Sequence, residues 1–373
     1  MMQDKKQTKM PLFSIRKRVN ITLKKSIIIR IISIILSLLV SFVITLLVTK
    51  RSATATIKAF SEGALLMPDK LLLDAVILLG FGIAIIPAFR MKYWNMGANG
   101  QVLVATLISI VLMLYLGKWA EKSALNNVLL IIIMFISSII ISVIWAIIPA
   151  VFKALFDTNE TLFTLMMNYI AMALVGYLNY VMTNGTKESV GIVNASSNAG
   201  WLPSLFNNEY ILPIIVIIIM TVFVSFYMNK TKHGYEVIVC GDSINTAKYV
   251  GMNTKKIIIR TLILSGVLTG IIGFLYATCI DHTVTEVTGG LGFTAVLIAW
   301  LSNFKPVVIA IMSLFLAILT NGTSKISSKF RLGSNNLSNV IIGLIFFSIL
   351  VSEFFIRYHV KINFRRHHEE EVR

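Results

Sequence analysis

Long apolar runs separated by short polar ones dominate the chain, and their lengths predict helices that cross a bilayer. Runs at 26–49, 71–90, 98–117, 127–151, 161–182, 210–228, 257–280 and 338–357 carry few or no charges. Each approaches the roughly 20 residues that a hydrocarbon core of about 30 Å requires. Between Gly289 and Thr320 the pattern breaks at Gly289, Gly290, Gly292 and the Lys305-Pro306 pair, which predicts two short or re-entrant segments there. The expected fold class is therefore all-α: a polytopic membrane protein of about ten membrane segments, the short ones included.

Composition supports that class. Hydrophobic residues make up 56% of the 373 positions and charged residues only 14%, against roughly 25% charged in soluble domains. A net charge of +17 would suit nucleic acid, but its distribution excludes that partner. Nine Lys and Arg lie between Lys5 and Arg30, and Lys361, Arg365 and Arg366 follow the last apolar run. The positive-inside rule then places both termini in the cytoplasm, and ten segments satisfy the parity. Lys50, Arg51, Lys58, Lys325, Lys329 and Arg331 fall on outer loops in that scheme. The chain divides into a basic cytoplasmic segment, 1–25, suited to anionic membrane lipid, a membrane domain, 26–357, and a cytoplasmic tail, 358–373. The first apolar run is long and lacks a small-residue cleavage site, so it reads as a retained span.

Two polar stretches interrupt the membrane domain. One, 183–209, is rich in Asn, Ser and Gly and predicts an outer loop, with Trp201 and Tyr210 as interfacial anchors. The other, 229–256, predicts a cytoplasmic loop holding a short helix. Asp242 or Ser243 supplies its N-cap, about three turns follow, and Gly251 with Asn253 ends it.

Three motifs carry the chemistry. The first is Tyr93-Trp94-Asn95-Met96-Gly97-Ala98-Asn99-Gly100-Gln101, which sets amides and glycines at the mouth of a span; it suits close helix packing or the lining of a polar path. In the second, Glu160, Thr164 and Asn168 recur at i, i+4 and i+8 and share one helical face. Glu160 fits a helix cap or helix–helix bond, and Asn168 fits either packing or a wet pathway. The third, Thr285 to Ala295, combines a glycine turn with Phe293 and Thr294, where free backbone N–H groups and a ring face would suit a flat polar ligand.

Together these segments resemble the permease subunits of ABC importers for nucleosides, simple sugars and branched-chain amino acids. Gly234, Tyr235, Glu236, Gly241, Ala247, Tyr249 and Gly251 match that family's coupling-helix wording, while Ile238, Ile244 and Lys248 replace its usual Arg, Pro and Arg. Asn99 replaces a Glu in the first motif. The Glu-Thr-x-x-Thr-Leu-Met-x-Asn-Tyr wording at Glu160–Tyr169 is typical of nucleoside and simple-sugar permeases. The resemblance implies a substrate path formed by Asn95, Asn99, Gln101, Thr164, Asn168, Phe293 and Thr294. It implies an ATPase-coupling element built from Gly234, Tyr235, Glu236, Gly241, Asp242, Ala247, Lys248, Tyr249 and Gly251.

The chain has no Gly-x-x-x-x-Gly-Lys-[Ser/Thr] loop, so no phosphate cradle is expected in it. The resemblance assigns ATP and Mg to a separate ABC ATPase subunit. The remaining implied partners are a second permease subunit, expected as a heterodimer, and an extracytoplasmic substrate-binding protein, all at a bacterial plasma membrane. Nucleosides are the expected cargo and ribose- or galactose-like sugars the alternative. An ion-coupled secondary transporter is the competing class, with Glu160 and Glu286 as its candidate carboxylates. Catalytic and metal-binding roles are not expected. Cys240 and Cys279 lie at opposite ends of a predicted span, and the five histidines show no ligand spacing.

Overall fold

The apolar runs fold as helices in a computed structural model that describes residues 13–18, 22–187, 189–206, 208–285, 291–332 and 336–362. In chain order these are β1 (Phe13–Lys17), α1 (Leu23–Thr49), α2 (Ala53–Leu65), α3 (Pro68–Arg90), α4 (Ala98–Ala120) and α5 (Ala124–Phe156). Then come α6 (Glu160–Thr183), α7 (Ile211–Lys230), α8 (Lys232–Asp242), α9 (Ile244–Tyr249) and α10 (Thr254–Leu275), which runs on into a π-helical turn, Tyr276–Ile280. The chain continues through α11 (Leu291–Leu301), α12 (Pro306–Lys329), α13 (Asn336–Arg357) and β2 (Tyr358–Ile362). Among the described residues nine helices are long and apolar enough to cross a membrane: α1, α3 to α7, α10 with its π turn, α12 and α13. The protein is an all-α polytopic membrane protein with one antiparallel strand pair, β1 on β2, at its ends.

Three expectations change. The stretch from Gly289 to Thr320 is not two short segments: α11 is short, but α12 is a full 24-residue helix that runs on to Lys329. Pro306 opens α12, where a missing N–H costs nothing. In its polar last turns Thr323 Oγ1 donates to the Leu319 carbonyl and Ser328 Oγ to that of Lys325, which satisfies these hydroxyls within the helix. The loop after α1 also contains a helix, α2, that the charges at Lys50, Arg51 and Lys58 had concealed. Finally, α8 and α9 replace the single three-turn helix expected after Asp242. The count of ten segments requires α11, with its flanking chain, as the tenth.

The residues form two units, 1–63 with 319–373 and 64–318, the division falling within α12. In the first, α1 packs on α13, and Arg30 and Arg357 both donate to the Glu353 carboxylate, at 2.9 and 3.0 Å. The strand pair sets the start of α1 beside the end of α13.

In the second unit α3 is the central helix, buried from Ala75 to Phe89. Around it α10 meets α4 and α5 through small residues. A Cβ on Gly266 would lie 2.9 Å from Val143 Cα, and one on Gly270 2.8 Å from Ile139 Cα. Lipid exerts no hydrophobic drive between helices, so close backbone approach and hydroxyl bonds must hold them together. Ser142 pairs with Thr269 at 2.9 Å, Ser109 with Ser138 at 2.5 Å, and Ser265 donates to the Ala84 carbonyl at 2.8 Å.

Candidate functional site

The polar stretch between α7 and α10 forms a two-helix bracket. Thr231 caps α8, its Oγ1 accepting from Gly234 N–H at 3.1 Å, and Ser243 caps α9, accepting from Thr246 N–H at 3.2 Å. Ser243 is extended, which breaks the run in two; α9 is therefore only six residues long, and Asp242 ends α8 instead of starting a helix. Gly251, at φ +80°, provides the expected stop.

The inner face of this bracket is tightly seated. A Cβ on Gly241 would run into the Arg90 carbonyl at the end of α3, and one on Gly234 would lie 2.5 Å from the Met228 carbonyl. Val237 and Ala247 are fully buried. His233 is the tie that sequence reasoning missed. Its Nδ1 meets Tyr227 Oη of α7 at 2.9 Å and its Nε2 meets Thr261 Oγ1 of α10 at 3.5 Å. Because the Thr261 proton goes to the Ile257 carbonyl, Nε2 is the donor to Thr261 and Nδ1 accepts from Tyr227. The ring is neutral, and burial, aided by Arg260, holds its pKa below the ordinary value. A buried histidine with hydroxyl partners on both neighbouring spans is invisible without the fold.

The outer face is the opposite. Tyr249 is 96% exposed, and Tyr235, Ile244 and Val250 are exposed beside it. Asp242, Lys248 and Gly251 are exposed too, and Glu236 is half-buried. Behind the bracket lies a cavity of about 550 Å³ lined by residues of α8, α9 and the α5–α6 corner. At that corner Lys153 bridges Asp157 and Glu160, at 2.8 and 3.0 Å. The Lys153 hydrogen bond lowers the Asp157 pKa. Tyr93, at the cavity wall, is pushed to a higher pKa by burial and by the Glu160 charge.

The first two motifs meet in a seam between the α3–α4 turn and α6. Asn168, 1% exposed, accepts from Gly100 N–H through Oδ1 at 2.7 Å and donates through Nδ2 to the Met96 carbonyl at 2.5 Å. Thr164 accepts from Met96 N–H at 3.1 Å, and Asn95 Oδ1 from Gly97 N–H at 3.0 Å. Gln101 points the other way and accepts from Thr269 of α10 at 3.1 Å. Asn95, Thr164 and Asn168 are thus brought together around the turn, Asn99 and Gln101 are buried beside them with Gln101 turned to α10, and Asn159 rather than Glu160 caps α6. Gly292 at the start of α11 lies against Asn99, with room for no Cβ. Of the other candidates, Phe293 is exposed and Thr294 half-buried. Glu286 and the glycines at 289 and 290 lie outside the described residues.

At the opposite end of α10, the loop after α6 folds over the helix ends. Trp201, expected as an interfacial anchor, is half-buried in this loop. Its ring stacks on His282 with centroids 3.6 Å apart, and its Nε1 donates to the Val193 carbonyl at 3.0 Å.

The comparisons agree with this architecture. Residues 67–350 match the model of a family described as branched-chain amino acid transport system / permease component. The nucleoside ABC transporter permease protein NupB of Lactococcus lactis is 27% identical over 45% of this chain; the matched part spans 49% of that protein, about half its length. The glucose ABC transporter permease protein TsgB13 of Haloferax volcanii is 28% identical over 80% of the chain and 79% of its own length. The guanosine ABC transporter permease protein NupP of Bacillus subtilis is 25% identical over 74% and 78%. No solved structure matches the chain. With most of its length matched, and with the bracket, the polar seam and seven of the nine long helices inside the match and α13 within it up to residue 350, this chain belongs to the family of permease components of branched-chain amino acid transport systems.

Proposed function

We propose that this protein is the membrane subunit of an ATP-driven importer, that it forms the translocation path for nucleosides, and that it is moved by a separate ATPase through α8 and α9. The observation that carries the reading is the two-sided bracket. Its inner face is wedged against α3, α7 and α10 by Gly241, Gly234 and His233, while its outer face leaves Tyr235, Ile244, Tyr249 and Val250 uncovered. Exposed aromatic and aliphatic side chains on a rigid polar-flanked helix pair suit a protein partner. A stiff connector transmits a partner's closure to the spans as a rigid movement.

On this reading ATP and Mg bind the partner ATPase, and the bracket faces the cytoplasm of a bacterial plasma membrane. A second, different permease subunit completes the path, and an extracytoplasmic protein delivers the cargo. Phe293 is the exposed member of the proposed path. The amides of the α4–α6 seam reach the path only if the seam opens, because every one of the bonds just described is closed. Simple sugars are the second reading, supported by the glucose permease that matches 80% of the chain.

The test is uptake of guanosine, adenosine, ribose and glucose by cells expressing the chain with its genomic neighbours, with and without the ATPase. Uptake that requires the ATPase and favours nucleosides is expected. Uptake that persists without the ATPase and follows an ion gradient would overturn the reading.

A further inference from the structure

At the end of the 64–318 unit away from α8 and α9, a cavity of about 520 Å³ opens between the start of α5, the loop 197–209 and the π turn at the end of α10. That volume falls within the range of small-molecule sites. The cavity has an aromatic wall, the Trp201–His282 stack, whose rings lie within 9° of parallel. The stack is rigid: Trp201 is pinned to Val193, Val193 N–H donates to the His282 carbonyl at 2.9 Å, and Leu202 N–H donates to the Thr278 carbonyl at 3.1 Å. Gly200 N–H is held by Asn127 Oδ1 at 2.8 Å, which leaves the Asn127 amide N–H groups available.

One atom of this wall is incomplete. His282 is 8% exposed, and its Nδ1 is buried without a hydrogen-bond partner. A buried ring nitrogen with no partner is costly in either tautomer, since it can neither donate nor accept there. His282 also sits at φ +50°, in the left-handed region that histidine adopts more readily than most residues. Around the ring the cavity offers the Glu209 carboxylate as an acceptor and Asn198, Ser197 and Ser204 as donors, with no Lys or Arg among its described lining residues.

We infer that this cavity is a binding site for a neutral, polyhydroxylated small molecule, the sugar moiety of a nucleoside or a free simple sugar, whose hydroxyl pairs with His282 Nδ1. Sugar hydroxyls both donate and accept, as this lining demands, and the Trp201–His282 wall supplies an apolar ring edge to pack against. A phosphorylated ligand would face Glu209 with no cation to meet it. The inference rests on the importer reading only in placing the cavity on the outer side, where arriving cargo would first meet the protein.

The test uses the whole transporter in nanodiscs, without binding protein or ATP, and measures equilibrium binding of tritiated guanosine, adenosine, ribose and glucose. Saturable binding of at least one probe is expected. His282→Asn, which tolerates the left-handed backbone, and Glu209→Gln should each raise its Kd roughly tenfold. Ser204→Ala, at an exposed position, gives a milder variant should the histidine change impair folding. Preference among the four probes separates nucleoside from free sugar. Absence of binding by all four, or a Kd unmoved by every variant, would overturn the inference. Nucleoside uptake by the complete system alongside an unmoved Kd would retain the importer and remove the site. Variant-sensitive binding without any ATPase-dependent uptake would do the reverse.

Discussion

Asn168 in the α4–α6 seam and His282 beside the outer cavity are both buried polar side chains in an apolar protein, yet they are chemically opposite. At the seam each amide oxygen and nitrogen of Asn168 already has a backbone partner, so the side chain acts as a splint for the turn at 95–100. At the outer cavity the walls are fixed by loop hydrogen bonds, while His282 Nδ1 keeps an open valence. In a membrane protein a polar side chain alone does not mark a ligand site. Unsatisfied bonding capacity beside an open cavity points to one, whereas the unpaired Asn95 Nδ2 is closed within the seam.

The largest expected effect that sharpens this contrast is at the seam. Asn168→Leu strands Gly100 N–H and the Met96 carbonyl together, at about 1–3 kcal/mol each, whereas neighbouring Leu165→Ala strands no polar group. Thermal unfolding of the purified complex should show a much lower Tm for the first variant; equal values would show that the splint carries no stability. A cysteine at 168 should resist thiol reagents in this closed state, and labelling in another nucleotide state would reveal that the seam opens.

Next in size is Gly241→Val. The added Cβ meets the Arg90 carbonyl, and overpacking of this kind costs about 1–3 kcal/mol. Uptake and stimulated ATPase should fall together in protein that still inserts. A well-expressed variant with full uptake would disprove the rigid coupling of α8 to α3.

A smaller effect separates the two ends by pH. His233 and His282 are both held neutral, their pKa values lowered chiefly by burial. The unfolded chain therefore takes up protons first as pH drops below about 6.5, so stability is full above that value and declines toward the folded-state values. A Tm that stays flat between pH 7.5 and 5.5 would contradict both assignments. His233→Gln should remove part of the slope, and bound sugar, by pairing with the neutral His282 ring, should steepen what remains.

The smallest effect on stability is at Tyr249, whose exposure predicts a change within about 0.5 kcal/mol on mutation to Ala. Its effect should appear in ATPase stimulation instead. An unchanged stimulation, with unchanged stability, would show that the partner does not grip this ring.

Much of the fold was legible residue by residue. The spans 98–117 and 161–182 correspond to α4 and α6 within a few residues, because about 20 apolar positions have one stable solution in lipid. Ser243 and Gly251 were readable as punctuation, since caps and left-handed stops depend on local backbone alone. α2 and the polar end of α12 were not readable, because their hydroxyl and charged residues look like loop until neighbouring helices cover them. Gly234, Gly241 and Ala247 were recognisable as part of one motif, but their division from Tyr235, Lys248 and Tyr249 into a buried and an exposed face was not.

The sequence by itself determined that this is a polytopic membrane protein with a polar, helix-bearing loop between two spans, because apolar length, charge placement and capping residues act over a few turns. Only the tertiary structure decided which polar side chains are spent and which remain open. Asn168 closes on Met96 and Gly100 across 68 to 72 positions of chain, and His282, stacked on Trp201 of a distant loop, is left with an unpartnered ring nitrogen. Hydrogen-bond satisfaction is a property of partners brought together from a distance, and no local pattern of residues specifies it.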